Sequence, residues 1–300
     1  MADNKYLVLG TSVGYSQEQV RPFIRSCLEH IPNADLVLFT DDSCSVANGR
    51  FKVVCPDDLA IRRLIRLLPR GRRVVAFASL RLGMLLRRKA LGCSKFLTGA
   101  FGVAVARYFW YRDWLKNIST GKYTHILLSD TRDVIFQSDP FPGLPEGSLF
   151  CGDEPRKMAD CKVNSDWFRQ AYGSKKLAEI GCWPILCSGV TGGRTQDIID
   201  YLDKLCSQIM EIAPRILWGN GFDQAVHNFL LRMTPFGDRF LIEHPKSSRL
   251  ITMHYMNAND VDIASDGTLR NSIDQTISIV HQYDRHPKIS RWVADCNLQH

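Results

Sequence analysis

Three hundred residues, 45% hydrophobic and 23% charged, make a chain long enough to bury a substantial core and exclude a disordered polymer. The formal net charge of +7 points to an anionic partner, but residues 61–90 hold ten Lys and Arg and no acid; that segment's +10 against a total of +7 leaves −3 for the other 270 residues. A chain basic throughout, of the kind that coats nucleic acid, is thereby excluded.

In chain order, Lys5–Gly10 reads as a short apolar strand running into a Gly/Ser/Thr loop, Gly10–Gly14. Val20, Phe23, Ile24, Cys27, Leu28 and Ile31 then recur at helical spacing, with Ser16 and Gln19 as a capping box and Pro22 as an alternative helix start. Leu36–Thr40 predicts a second strand, ending at Asp41-Asp42, and Phe51–Cys55 a third. This alternation predicts an α/β fold with its ligand crevice at the C-terminal ends of the strands.

In the basic segment Ile61, Leu64, Ile65 and Leu68 form an apolar stripe, with Arg62, Arg63 and Arg66 on the other faces. The pattern suits an interfacial element that meets an anionic membrane surface or another anionic acceptor. Nucleic acid is not expected, because the aromatic residues follow the segment at helix-core spacing. Ser94–Asn117 predicts a long helix, with Phe101, Tyr108, Phe109, Trp110 and Trp114 along it. Further strands are expected at Ile126–Leu128, Gly147–Gly152, Phe240–Glu243, Ile251–Tyr255 and Ile277–His281, and helices over Thr195–Ala213 and Phe222–Met233.

The N-terminus has no basic start, and its apolar run Tyr6–Leu9 is too short for a secretory leader. Val74–Leu86 is broken by Arg81, and Phe96–Ala106 falls well short of the roughly 20 residues a membrane span needs. Ten cysteines occur without a CxxC pair, and most, among them Cys27, Cys55 and Cys206, read as buried free thiols in a reducing compartment. The expectation is a cytoplasmic protein, membrane-associated on the cytosolic face through residues 61–90.

The stretch richest in chemistry is His125-Ile-Leu-Leu-Ser-Asp130-Thr-Arg-Asp133-Val-Ile-Phe. An apolar strand delivers two carboxylates at its end, hard oxygen ligands suited to Mg²⁺ or Mn²⁺ holding a diphosphate. The same residues also serve simpler ends: Asp130 closing a turn, Asp133 pairing with Arg132. Three later stretches add weight to the metal. Ile185–Arg194 is an apolar strand running into a small-residue turn, where backbone can approach a ligand. Asp223-Gln224 opens a helix with an acid and an amide. Ile279-Val-His281 ends a strand with an imidazole, followed by Lys288.

Together these motifs resemble the nucleotide-sugar glycosyltransferases of the GT-A fold, above all the retaining, metal-dependent group containing glycogenin and the bacterial lipopolysaccharide galactosyltransferases. The counterparts are Asp130/Asp133 for the aspartate pair, Ser188-Gly189-Val190 for the glycine strand, Asp223-Gln224 for the helix start, and His281 with Lys288 and Trp292 for the tail, in the same order over residues 5–292. Two departures stand out: the acidic motif is D-x-x-D, and the tail reads His-Pro-Lys where the group has Lys-Pro-Trp.

The resemblance implies one GT-A-like domain over residues 1–300, with a mixed, mostly parallel central sheet flanked by helices. Residues 1–145 would be the nucleotide-binding half and 146–300 the acceptor-binding half. Asp130, Asp133 and His281 would hold Mn²⁺ or Mg²⁺, with His254 competing for the third position. Gly10, Thr11, Asp41, Arg107, Arg112, Ser188, Gly189 and Lys288 would meet the nucleotide-sugar donor, favoured as a UDP-sugar. Asp223 and Gln224 would face the anomeric carbon and a glycan or lipid-linked acceptor. Their pairing favours retention, while an inverting reaction would use Asp223, Asp153 or Glu154 as base. The competing functions are a sugar-1-phosphate nucleotidyltransferase and a non-enzymatic membrane or nucleic-acid adaptor built on residues 61–90.

Overall fold

The computed structural model describes residues 5–41, 49–60, 62–63, 98–99, 101–216 and 221–298. Its first strands are β1 (Tyr6–Thr11), β2 (Ala34–Phe39), β3 (Phe51–Val54), β4 (His125–Ser129), β5 (Val134–Phe136) and β6 (Leu149–Lys157). They are followed by β7 (Pro184–Arg194), β8 (Phe240–Glu243), β9 (Leu250–Thr252), β10 (Val261–Ile263), β11 (Leu269–Asn271) and β12 (Ile279–His281). The helices are α1 (Gln17–His30), α2 (Val103–Lys116), α3 (Lys162–Tyr172), α4 (Ser174–Ile180), α5 (Thr195–Ile216), α6 (Phe222–Met233) and α7 (Pro287–Leu298).

Seven strands form the central sheet in the order β3-β2-β1-β4-β7-β6-β8. The first four run parallel; β7 runs against both β4 and β6, while β6 and β8 are parallel to each other. The fold is therefore α/β with a mixed, mostly parallel sheet.

Strand alternation explains how both faces of that sheet are covered. Leu7 and Leu9 of β1 and Ile126 and Leu128 of β4 face a core completed by Tyr108 of α2, Tyr201 and Leu205 of α5, and Val226 of α6. The intervening Val8 and Leu127 face the other way, onto Phe23 and Cys27 of α1 and onto Val134, Phe136, Leu250 and Ile279. Those last four belong to a second, three-stranded sheet, β5-β12-β9, that lies on this side. Each fully buried side chain of this size contributes roughly 1.5–3 kcal/mol.

Local chemistry agrees with the helix starts. Ser16 caps α1 in a reciprocal box with Gln19, and Pro22 lies within the helix rather than at its start. Two other expectations change. Ile185–Arg194 does not enter a turn; β7 stays extended through Gly192 and Gly193, where a Cβ would collide with Phe150, Leu127 and Leu149. Small residues serve sheet packing there. Cys55 is exposed at the end of the edge strand β3, as is Cys182, while Cys27, Cys151, Cys161, Cys187 and Cys206 are buried free thiols. No helix among the described residues is long and apolar enough to cross a membrane.

Most of the basic segment lies outside the described residues, but Arg62 does not belong to a lipid-facing surface. It is buried, pairs with Asp58 at 3.2 Å, donates to the carbonyls of Phe101 and Thr98, and stacks on Trp110 at 4.8 Å. The guanidinium ties Asp58 to Thr98 and Phe101.

Candidate metal centre and its surroundings

β4 carries Ser129 into the sheet opposite Val190 of β7, and the next residue turns: Asp130 N donates to Gly189 O at 2.7 Å. The turn is pinned from below. Thr131 Oγ1 donates to Thr11 O at 2.7 Å, and its methyl group fills the space above Gly10, where a Cβ would come within 2.5 Å. Gly10 thus supports the acidic turn, and buried Thr11 bonds Tyr111 Oη at 2.8 Å. The structure gives both residues internal contacts.

The third member arrives from 150 residues away. β12 pairs antiparallel with β5, setting His281 opposite Val134 and next to Asp133, whose carbonyl accepts from Gln282 N at 2.7 Å. One ligand atom from each of Asp130, Asp133 and His281 lies within 4.8 Å of the others. His281 Nε2 is buried, 3.3 Å from Asp130 Oδ2, and without a hydrogen-bond partner; Nδ1 faces Cys187 Sγ at 3.7 Å. An orphaned imidazole nitrogen beside two carboxylates suits a divalent cation with oxygen and nitrogen ligands. Gly189 keeps the space open, because a Cβ there would lie 2.6 Å from both Asp130 Oδ2 and His281 Nε2.

Charge binds this group to a second layer. Arg107 of α2, buried, pairs with Asp130 through Nη1 and with Asp223 through Nη2 at 3.4 Å. The same nitrogen donates to Tyr108 Oη at 3.0 Å, and that hydroxyl donates to Ser188 O at 2.8 Å. Ser188 Oγ donates to Asp223 Oδ2 at 3.1 Å. Burial opposes ionisation of Asp130, but Arg107 and His281 outweigh it and hold the carboxyl well below the usual range. Burial, reinforced by Asp130, raises Asp133 and Asp223. For His281 burial works against the charged form, yet Cys187, Asp130 and Asp133 raise it well above the ordinary imidazole value.

The remaining predicted residues divide. Asp41, at the end of β2, accepts from Gly14 N at 3.0 Å and closes the loop after β1. Gln224 donates to Asn164 at 2.8 Å and to Glu154 at 3.3 Å. Arg112 is not brought to the acidic cluster; it pairs with Asp113 at 2.8 Å and packs over Phe109. Five residues along a helix turn a side chain by about 140° from Arg107, onto another face. Lys288 pairs on the surface with Asp262 at 3.1 Å. His254 stands with Glu154, 3.4 Å away, and not with the aspartate pair. Tyr108, Cys187 and Asn164 were missed: in sequence their only signal is apolar or helical company, which reads as core.

No protein-family model matches the chain, and no curated protein matches it.

Proposed function

We propose that the protein is a metal-dependent glycosyltransferase of GT-A type, moving a sugar from a nucleotide-diphosphate sugar, UDP-linked by preference, to a hydroxyl acceptor. One observation carries the reading. Asp130 and Asp133, neighbours in one turn, meet His281 from a distant part of the chain where β4 ends, with an orphaned imidazole nitrogen beside the carboxylates and an Arg107–Asp223 pair alongside. That is an arrangement for a cation, a diphosphate and a polar group at once.

Asp130, Asp133 and His281 would hold Mn²⁺ or Mg²⁺, which when bound supplies Lewis acidity to a departing diphosphate. The protein's own groups do the rest. Arg107 keeps Asp130 ionised and offers a guanidinium whose Nε is buried without a partner, a donor available to a phosphate or sugar oxygen. Asp223, held by Ser188 and Arg107, presents a carboxylate to sugar hydroxyls. Gly189, within β7, leaves room beside Asp130 and His281 for a ligand to come close.

The test is release of nucleoside diphosphate from a panel of nucleotide sugars with Mn²⁺. Asp130→Ala and Asp133→Ala are expected to lower the rate about 100-fold or more. Full activity in both variants, or in EDTA, contradicts the assignment.

A further inference from the structure

Beside the metal centre lies a carboxylate–imidazole pair that the preceding reading leaves unused. Glu154 of β6 is 1% exposed; Oε1 accepts from Gln224, while Oε2 is buried with no hydrogen-bond partner. A buried carboxylate oxygen left so is costly unless a cation or donor answers it. Facing it is His254 Nδ1, 3.4 Å away, on a side chain 32% exposed. His254 follows β9 by two residues, and β9 pairs with β12 so that Thr252 lies opposite His281 and Met253 N donates to His281 O at 2.9 Å. The imidazole thus stands at the same strand ends as the metal centre.

Its ring is held from a second side. Tyr255 stacks on it, centroids 3.7 Å and planes 21° apart, and the Arg156 guanidinium lies 4.5 Å from the tyrosine ring. Tyr255 takes φ +66°, a left-handed conformation that bulky residues rarely adopt. Such backbone strain persists where surrounding structure enforces it, and it clusters at functional positions. A buried carboxylate at one imidazole nitrogen fixes the tautomer and stabilises the imidazolium, leaving the other nitrogen to accept a proton.

We propose that His254, positioned by Glu154, is the base that takes the acceptor's hydroxyl proton. This rests on the glycosyl-transfer reading and extends it. The proton passes to His254 Nε2, and the acceptor oxygen's electron pair forms the new bond to the anomeric carbon. The bond from that carbon to the diphosphate oxygen breaks, its pair departing on the nucleoside diphosphate, and the imidazolium returns its proton to solvent. A single displacement inverts the anomeric carbon. Inversion therefore replaces the retention expected from Asp223-Gln224, and Gln224's amide is committed to Glu154 and Asn164.

The experiment is hydrolysis of UDP-hexoses with Mn²⁺, water acting as acceptor, in the wild type and in His254 and Glu154 variants. Among described residues the charged or titratable groups around this imidazole are Glu154 and Arg156 of β6, Tyr255 with Cys161 Sγ 3.6 Å from its hydroxyl, His286 Nε2 against Met253 O, and His281 on the neighbouring strand. His254→Gln is expected to lower kcat about 100-fold or more at unchanged donor KM. Glu154→Gln is expected to lower kcat about tenfold at unchanged donor KM, and Glu154→Asp to restore part of the loss, as a positioning carboxylate requires. The first-formed sugar, read by NMR before mutarotation, has the opposite configuration to the donor. A His254→Gln enzyme with the wild-type rate, or a retained configuration, overturns this inference alone. A wild type that cleaves no nucleotide sugar overturns the glycosyl-transfer reading and this inference with it.

Discussion

At the scale of single residues, Gly189 has the sharpest consequence. Any side chain there enters the space between Asp130 and His281. Gly189→Ala should cost about 1–3 kcal/mol by overpacking and abolish any Mn²⁺-induced rise in melting temperature, measured by thermal shift. His227 offers a second test, away from the site. It is wholly buried against Tyr201 Oη at 2.7 Å, and burial, helped by Arg232 and Arg107, pushes its pKa down to about 3. Between there and the unfolded value of 6.5 the unfolded chain binds the extra proton, so stability falls as pH falls through this window. The expected contribution is about 1.4 kcal/mol per pH unit at most, and His227→Gln should remove it from the pH dependence of chemical denaturation. Identical slopes for the two proteins would contradict a buried neutral imidazole.

At the scale of elements, the chemistry depends on how α6 is seated. Asn228 Oδ1 accepts from Leu186 N at 2.9 Å, and its Nδ2 donates to Leu186 O and Gln224 O, both at 2.8 Å. This clamp fixes α6, and with it Asp223 and Gln224, against β7. Asn228→Ala should cost about 1–3 kcal/mol, seen as a lower denaturation midpoint, because it leaves buried backbone groups unanswered. The elements themselves were largely legible. β8 and α6 fall where apolar spacing puts them, and the acidic turn announces itself by two aspartates after an unbroken apolar strand. What sequence could not supply was register. Choosing His281 over His254 for the aspartate pair depends on β12 aligning with β5, and joining His254 to Glu154 depends on β9 lying between β12 and β6. Separating Arg107 from Arg112 needs the rotation of α2, which a charge count does not contain. Glycines in β7 read as a turn because a missing side chain looks alike in a loop and beneath a phenylalanine.

At the scale of the molecule, two buried arginines hold distant parts of the chain together. Arg107 pairs with Asp130 and Asp223, while Arg62 ties Asp58 to Thr98, Phe101 and Trp110. Arg62→Gln should lower stability by roughly 3 kcal/mol or more, since it strands buried Asp58 and two carbonyls, and the loss should appear as a lower melting temperature. The two sheets and their helices bring four distant stretches together at the ends of β1, β4 and β12 and the middle of β7, and the central claim is that this meeting point binds a divalent cation with a nucleoside diphosphate. It is tested most directly by calorimetric titration of Mn²⁺, in the presence of UDP, into the wild-type protein and the His281→Ala variant. One ion per chain is expected in the wild type, with affinity at least about tenfold weaker in the variant. Equal Mn²⁺ binding by the two proteins, or none by the wild type, would contradict it.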